Sequence, residues 1–272
     1  MKIVVIFRQI GSAIFAIMFL TILLSCNLPT TETSKVTNQN RSTPANSVNS
    51  KTASSPALMS TPVSSSPAAD GKLTVKGAAV IFLAGRDDIK LITPDQDVPE
   101  NYPLGRCSGG ENAMAAPHLI KIDDKKNFTF KVTGEVDYYG GDDRKTGADG
   151  YADQASKIES LGGISGYTGP GGALVGVFLN DLNPQDAKPT ATLDFSDEGQ
   201  KTSFKKLTPE LGQIFFIGDG SIGAKSSEQQ VFVAPAGATR LFLGTADASG
   251  FGGAPGCYED NKGAFQVEVT AN

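Results

Sequence analysis

Short apolar runs broken by turn residues, with no long stretch of helical period after residue 70, set the first limit on what this chain can fold into. Eight such runs stand out, at 78–83, 119–122, 128–132, 173–179, 213–217, 230–234, 240–245 and 265–269. Each has strand length, and segments rich in Gly, Pro, Asn and Asp separate them. Phe128, Phe130 and Val132 alternate with Thr129, Lys131 and Thr133, so a strand there turns its apolar side chains to one face. The pattern predicts an all-β fold, a single-domain β-sandwich of jelly-roll or galactose-binding-like kind. Residues 156–161 are expected to make a helical turn, and no internal repeat is visible.

The sequence before residue 71 is of another kind. Residues 1–26 have a basic start (Lys2, Arg8), an apolar stretch from Ile10 to Leu24, and Leu23-Leu-Ser-Cys26. A small residue before Cys26, followed at once by polar sequence, resembles a bacterial lipobox. The resemblance implies an export signal cleaved before Cys26 and a lipid on that thiol. An uncleaved N-terminal anchor helix is the alternative, and either reading puts the remainder outside the cytoplasm, in a bacterial cell envelope, tied to a membrane. Residues 27–70 contain no aromatic residue, and 22 of the 44 are Ser, Thr or Pro. So little apolar surface cannot offset the entropy of ordering, and a disordered tether is expected. As a flexible coil it would span roughly 35–40 Å.

Residues 71–272 hold the expected domain. Residues 1–70 take 5 of the 24 basic and 2 of the 29 acidic residues, leaving 19 against 27, a net of −8. An acidic surface without a basic run argues against nucleic acid as a partner.

Chemistry concentrates near the C-terminus. There the run ending at Thr245 feeds a glycine-rich loop, and an alternating Phe265-Gln-Val-Glu-Val269 follows it. Asp247, Asp260 and Asn261 place hard oxygen donors on that loop, and its glycines let backbone carbonyls turn inward. Ca2+ takes about six to eight such oxygens at roughly 2.3–2.6 Å. Ordinary turns use the same residue types, with the side chains bonded to their own backbone. The spacing does not match D-x-[DN]-x-[DN]-G, which excludes an EF-hand.

The order Asp247, Pro255-Gly256, Tyr258, Asp260-Asn261, Gly263, Phe265 resembles the metal loop of the bacterial calcium-dependent galactophilic lectins of the PA-IL type. In that family the bound ion coordinates two sugar hydroxyls. The resemblance implies Asp247 as a carboxylate ligand, Cys257 as a carbonyl ligand, and Asp260 and Asn261 as side-chain ligands, with Asp260 standing where the family has Asn. A further carbonyl would come from Tyr139, which precedes Gly140, with Tyr138 as a one-residue alternative. Weaker matches extend the likeness over about 130–269; residues 71–127 have no counterpart.

Departures bear on the sugar. The family's sugar-holding His and Gln are missing from 145–150, and seven residues, 248–254, separate Asp247 from Pro255; they would either cover the metal or build a new wall. Carbohydrate contacts are therefore assigned to Asp149 together with the ligands Asp247, Asp260 and Asn261. Phe251 and Tyr258 are aromatic candidates, each also readable as a packing residue.

Once Cys26 carries a lipid, Cys107 and Cys257 remain. An even pair in an exported protein suggests a disulfide, two separate buried thiols being the alternative. Catalysis finds little support. Gly218-Asp-Gly220-Ser-Ile-Gly223 matches a dinucleotide fingerprint, but strand-like sequence returns within seven residues and leaves no room for the helix that should hold pyrophosphate, so a glycine hairpin is expected. Ser165 misses G-x-S-x-G by one position, and His118 is the only histidine. The chain reads as a non-enzyme, a calcium-dependent carbohydrate binder. The alternatives are an envelope structural or adhesion module with a purely structural calcium, and a carboxylate-pair glycosidase, which needs no histidine.

Overall fold

Alternation in the sequence becomes alternation in burial. In the computed structural model, which describes residues 71–107, 110, 112–140, 145–223 and 226–272, Phe128, Phe130 and Val132 are buried while Lys131 and Thr133 are exposed. The expected signal peptide, lipidated Cys26 and tether all lie outside the described residues. Those that are described belong to one compact unit.

Among them the chain is all-β. In order it runs β1 (Gly71–Lys76), β2 (His118–Lys121), β3 (Asn127–Asp137), β4 (Lys145–Thr146), β5 (Tyr151–Ile158), β6 (Tyr167–Gly171), β7 (Leu174–Leu179), β8 (Leu193–Asp194), β9 (Lys206–Leu207), β10 (Ile214–Phe216), β11 (Val231–Val233), β12 (Arg240–Thr245), β13 (Gly252–Gly253) and β14 (Lys262–Ala271). Single 3-10 turns at Ile81–Leu83, Ser249–Phe251 and Tyr258–Asp260 are the helical elements described.

Three sheets result. The largest has the order β1-β14-β3-β11-β9, with β4 added beside β3; the second is β10-β7-β12-β2, the third β13-β5-β6-β8. β14 lies between β1 and β3, antiparallel to both, with Phe265 opposite Val75 on one side and Gly134 on the other. β7 and β12 are apolar on both faces and almost wholly buried, which suits the centre of the second sheet. Phenylalanines join the sheets: Phe128 of β3 meets Phe178 of β7 at 5.5 Å, and Phe232 of β11 meets Phe215 of β10 at 5.3 Å. Phe195, just after β8, reaches Phe216 of β10 at 5.9 Å and ties in the third sheet. All three therefore share one apolar core.

Two local expectations are corrected. Residues 78–83 form no strand: Ala79 and Val80 make single bridges to Ala115 and Thr245, and the chain then turns into the Ile81–Leu83 3-10 turn. A segment buried on all sides shows no period, so its apolar run does not distinguish strand from turn. The close passage depends on Gly244, where a Cβ would come within 2.6 Å of the Ala79 carbonyl. Residues 156–161 are not a helical turn either, because Ser156, Lys157 and Ile158 pair across to Gly169, Thr168 and Tyr167. Cross-strand partners override a local preference. The glycine hairpin does form, with Ser221 bridged to Gln229 and the Ile222 N–H donating to the Glu228 carbonyl.

Candidate metal centre

β12 delivers Asp247 to the end of the second sheet. Its side chain is 2% exposed. The Asp247 N–H donates to the Tyr258 hydroxyl at 3.0 Å, and that hydroxyl donates to the Thr245 carbonyl at 3.0 Å. Tyr258 is thus a packing residue under the loop. The Ala248 N–H donates to Asp247 Oδ1 at 2.8 Å, whereas buried Oδ2 has no donor. Burial pushes this carboxyl well above the usual range, aided by the charges of Asp260 and Glu259 and opposed by the Asn261 carboxamide and the Ala248 N–H.

The loop then closes on itself. Ala248 bridges to Pro255, and the Gly256 N–H donates to the Asp247 carbonyl at 3.0 Å. Cys257 sits in the left-handed region (φ 67°) and starts the Tyr258–Asp260 turn, whose Asp260 N–H reaches back to the Cys257 carbonyl at a long 3.4 Å. Asp260 is partly buried, and its carboxyl is raised to about 6, by burial first and then by the charges of Glu259 and Asp137. Asn261 is 2% exposed; its Nδ2 donates to the Gly77 carbonyl at 3.1 Å, which fixes the amide and leaves buried Oδ1 without a donor. Asp260 Oδ1 is buried and unpartnered as well.

Tyr139 and Gly140 come to the same place. A Cβ on Gly140 (φ 69°) would lie 3.1 Å from the Asp260 Cβ, so the backbone after β3 runs directly against that side chain. The Tyr139 N–H donates to Asp137 Oδ1 at 3.2 Å. The spacing along the chain does not mark Asp137, yet it is 3% exposed, carries a buried oxygen without a donor, and acts on Asp260 through its charge. An acid directly before Tyr138-Tyr139-Gly140 is the signal that could have found it.

Glu259 is the second residue that the spacing does not mark. It is 1% exposed, and Oε1 accepts from the Cys107 N–H at 2.6 Å and from Arg106 Nε at 3.3 Å. Cys107 and Cys257 form a disulfide, with Cα atoms 4.8 Å apart. Gly105 pairs with Gly256 alongside, its N–H donating to the Pro255 carbonyl and its carbonyl accepting from the Cys257 N–H. Residues 105–107, together with Asn112, whose N–H donates to the Glu259 carbonyl at 2.8 Å, therefore strap the loop that carries Asp260 and Asn261.

Asp149 stands apart from this gathering. It is exposed, and Oδ1 accepts from the Asp219 N–H at 2.9 Å in the glycine hairpin. Residues 249–254, by contrast, lie beside it: Phe251 stacks on Tyr139 and meets Tyr138 edge-on, and Gly252–Gly253 pairs with β5.

Among the described residues no three His, Cys, Asp or Glu side chains form a cluster that could hold a metal. The oxygens here come from a mixed set, Asp247, Asp260 and Asn261 with nearby backbone. It contains no thiolate and no imidazole, since Cys257 is bonded to Cys107. Such a set suits a hard cation, and unpartnered buried oxygens are what a cation would satisfy. No family model, curated protein or solved structure matches the chain.

Proposed function

We propose that this chain is an exported, lipid-anchored protein of the bacterial envelope whose β-domain, a jelly-roll-like sandwich, binds calcium and through it a carbohydrate. Asp247, Asp260 and Asn261 would hold the ion by side-chain oxygens, and Tyr139 and Cys257 by their carbonyls. The observation that carries this reading is the set of buried oxygens left without donors, Asp247 Oδ2, Asp260 Oδ1 and Asn261 Oδ1, on residues that also follow the PA-IL order. Two carboxyls raised first by burial, Asp247 also by the charges of Asp260 and Glu259 and Asp260 by those of Glu259 and Asp137, are costly alone and favourable around a divalent ion.

When bound, calcium accepts additional neutral oxygens in flexible geometry, so that two adjacent hydroxyls of a sugar can replace waters. The protein's part is to hold its own oxygens in place beforehand. Tyr258 beneath Asp247, Gly77 behind Asn261 and the 105–107 strap over Glu259 each do this.

The test is a melting curve with calcium against chelator. Calcium at 100 times its dissociation constant stabilises by about 2.7 kcal/mol, a visible rise in Tm, and Asp247→Ala abolishes that rise. Calorimetry with galactosides, with and without calcium, then addresses the sugar: heat only in calcium supports the lectin reading, and a silent titration in calcium leaves a metal site without it. Membrane anchoring is checked separately by fractionating cells that express the full chain, where Cys26→Ser is expected to move it from the membrane to the soluble fraction.

A further inference from the structure

Beside the candidate ligands runs a line of aromatic rings that calcium does not need. Tyr151 packs on Tyr138 with centroids 6.0 Å apart, Tyr138 meets Phe251 edge-on at 5.7 Å, and Phe251 stacks on Tyr139 at 5.6 Å with planes 22° apart. Exposure rises outward along the line, from Tyr138 at 2% to Tyr139 at 53%. The remaining exposed large apolar residues among those described, Leu91, Val98 and Leu182, are aliphatic.

Both outer rings are tied to the candidate centre through backbone. Gly140, next to Tyr139, lies against Asp260. The Phe251 N–H donates to the Ala248 carbonyl, and the Ala248 N–H donates to Asp247 Oδ1. Phe251 takes a left-handed conformation, φ 66°, which a residue with a side chain adopts only at an energetic cost. It is held there by the Gly252–Gly253 pairing with β5 and by the Glu159 N–H bonded to the Gly253 carbonyl. The seven residues between Asp247 and Pro255 therefore do more than close a turn. They present a fixed ring behind Tyr139.

We propose that Tyr139, backed by Phe251, is a stacking wall for the apolar face of a pyranose whose hydroxyls meet the Asp247, Asp260 and Asn261 oxygens. This rests on the calcium-lectin reading and narrows its ligand class to sugars that turn the C–H bonds of several adjacent ring carbons toward one face. Galactopyranosides, with C–H at positions 3, 4 and 5 on one side, are the first members. The physical basis is the negative face of the aromatic ring, which attracts polarised C–H groups while the same contact removes apolar surface from water.

Calorimetry with methyl β-D-galactopyranoside in saturating calcium tests it, together with the calcium-dependent rise in Tm of each variant. Phe251→Ala is expected to weaken the sugar about tenfold, and Phe251→Leu, which keeps apolar bulk without a ring, nearly as much, with the calcium rise as in the parent. Tyr139→Leu is expected to lose a similar factor in sugar affinity. The wall is overturned if the Phe251 variants bind the sugar as tightly as the parent, or if they lose the calcium rise, which would make Phe251 a support of the metal loop alone. A parent protein that gains Tm with calcium but takes up no pyranoside overturns the wall and the lectin reading together, leaving the metal.

Discussion

Asp260 carries the most informative electrostatics of the candidate centre, because its carboxyl is raised from 3.8 to about 6 while remaining half accessible to water. A carboxyl whose folded value exceeds its unfolded value binds more protons in the native state between the two, so stability of the metal-free protein falls as pH rises from about 4 to 6. The raw shift corresponds to about 3 kcal/mol, and solvent screening at a half-exposed group cuts this to roughly 1 kcal/mol. Buried Asp247 works in the same direction. Tm in chelator is therefore expected to be higher at pH 5 than at pH 7, and the gain from calcium to be larger at pH 7; a calcium gain that does not grow with pH contradicts the assignment of both carboxyls to the ion. Asp137→Asn removes one of the charges that raise Asp260, so it is expected to increase metal-free stability at pH 7 by up to about 1 kcal/mol in urea denaturation. The spacing of oxygen-bearing residues in one loop made Asp247, Asp260 and Asn261 legible in the sequence. Asp137 was not, since it reaches that loop only through the pairing of β3 with β14; Glu259 sits in the loop itself, but its part was hidden because its carboxylate is bound by Arg106 and Cys107, about 150 residues away in sequence.

Elements decide how firmly the loop is held. The 105–107 strap approaches it at backbone distance, and at position 256 only glycine fits: a Cβ on Gly256 would come within 2.4 Å of the Gly105 carbonyl. Gly256→Ala must push the strap away, at a cost of roughly 1–3 kcal/mol of stability, and the calcium-dependent rise in Tm is expected to shrink with it. Removing the disulfide acts on the same contact through the unfolded chain. The half-cystines are 150 residues apart, so Cys107→Ser paired with Cys257→Ser is expected to cost 2–5 kcal/mol, measured as a fall in urea midpoint without a fall in sugar-independent secondary structure. Cysteine parity announced the bond, but the part played by Ala79, Val80, Gly105 and Ala115, between β1 and β2, was invisible because their backbone pairs are one-residue bridges with no periodic signal. The long alternating strands were easy to read, and β14 and β12 fall where the pattern put them. β1 was missed: a six-residue polar-apolar alternation at a domain edge has only Leu73 and Val75 to mark it.

At the scale of the whole molecule, β1 links the first sheet to the centre. It pairs along all six residues with β14, burying Leu73 and Val75, and hands on to Gly77, whose carbonyl accepts from both Asn261 Nδ2 and Thr245 Oγ1. Burying two such side chains contributes about 3–6 kcal/mol, a large part of the 5–15 kcal/mol that holds an ordinary domain together. Without β1, β14 would become an exposed edge just after Asn261, with six residues, 264–269, losing their backbone partner on that side. A chain starting at Gly71, the first residue of β1, is expected to match the full chain in urea midpoint and in its calcium response. One starting at Gly77 is expected to lose most of its stability, and any folded fraction to bind calcium more weakly because Asn261 has lost the support behind its amide. If the shorter chain unfolds at the same urea concentration and keeps the full calcium gain, the site is held by the disulfide strap alone and β1 is only a cover.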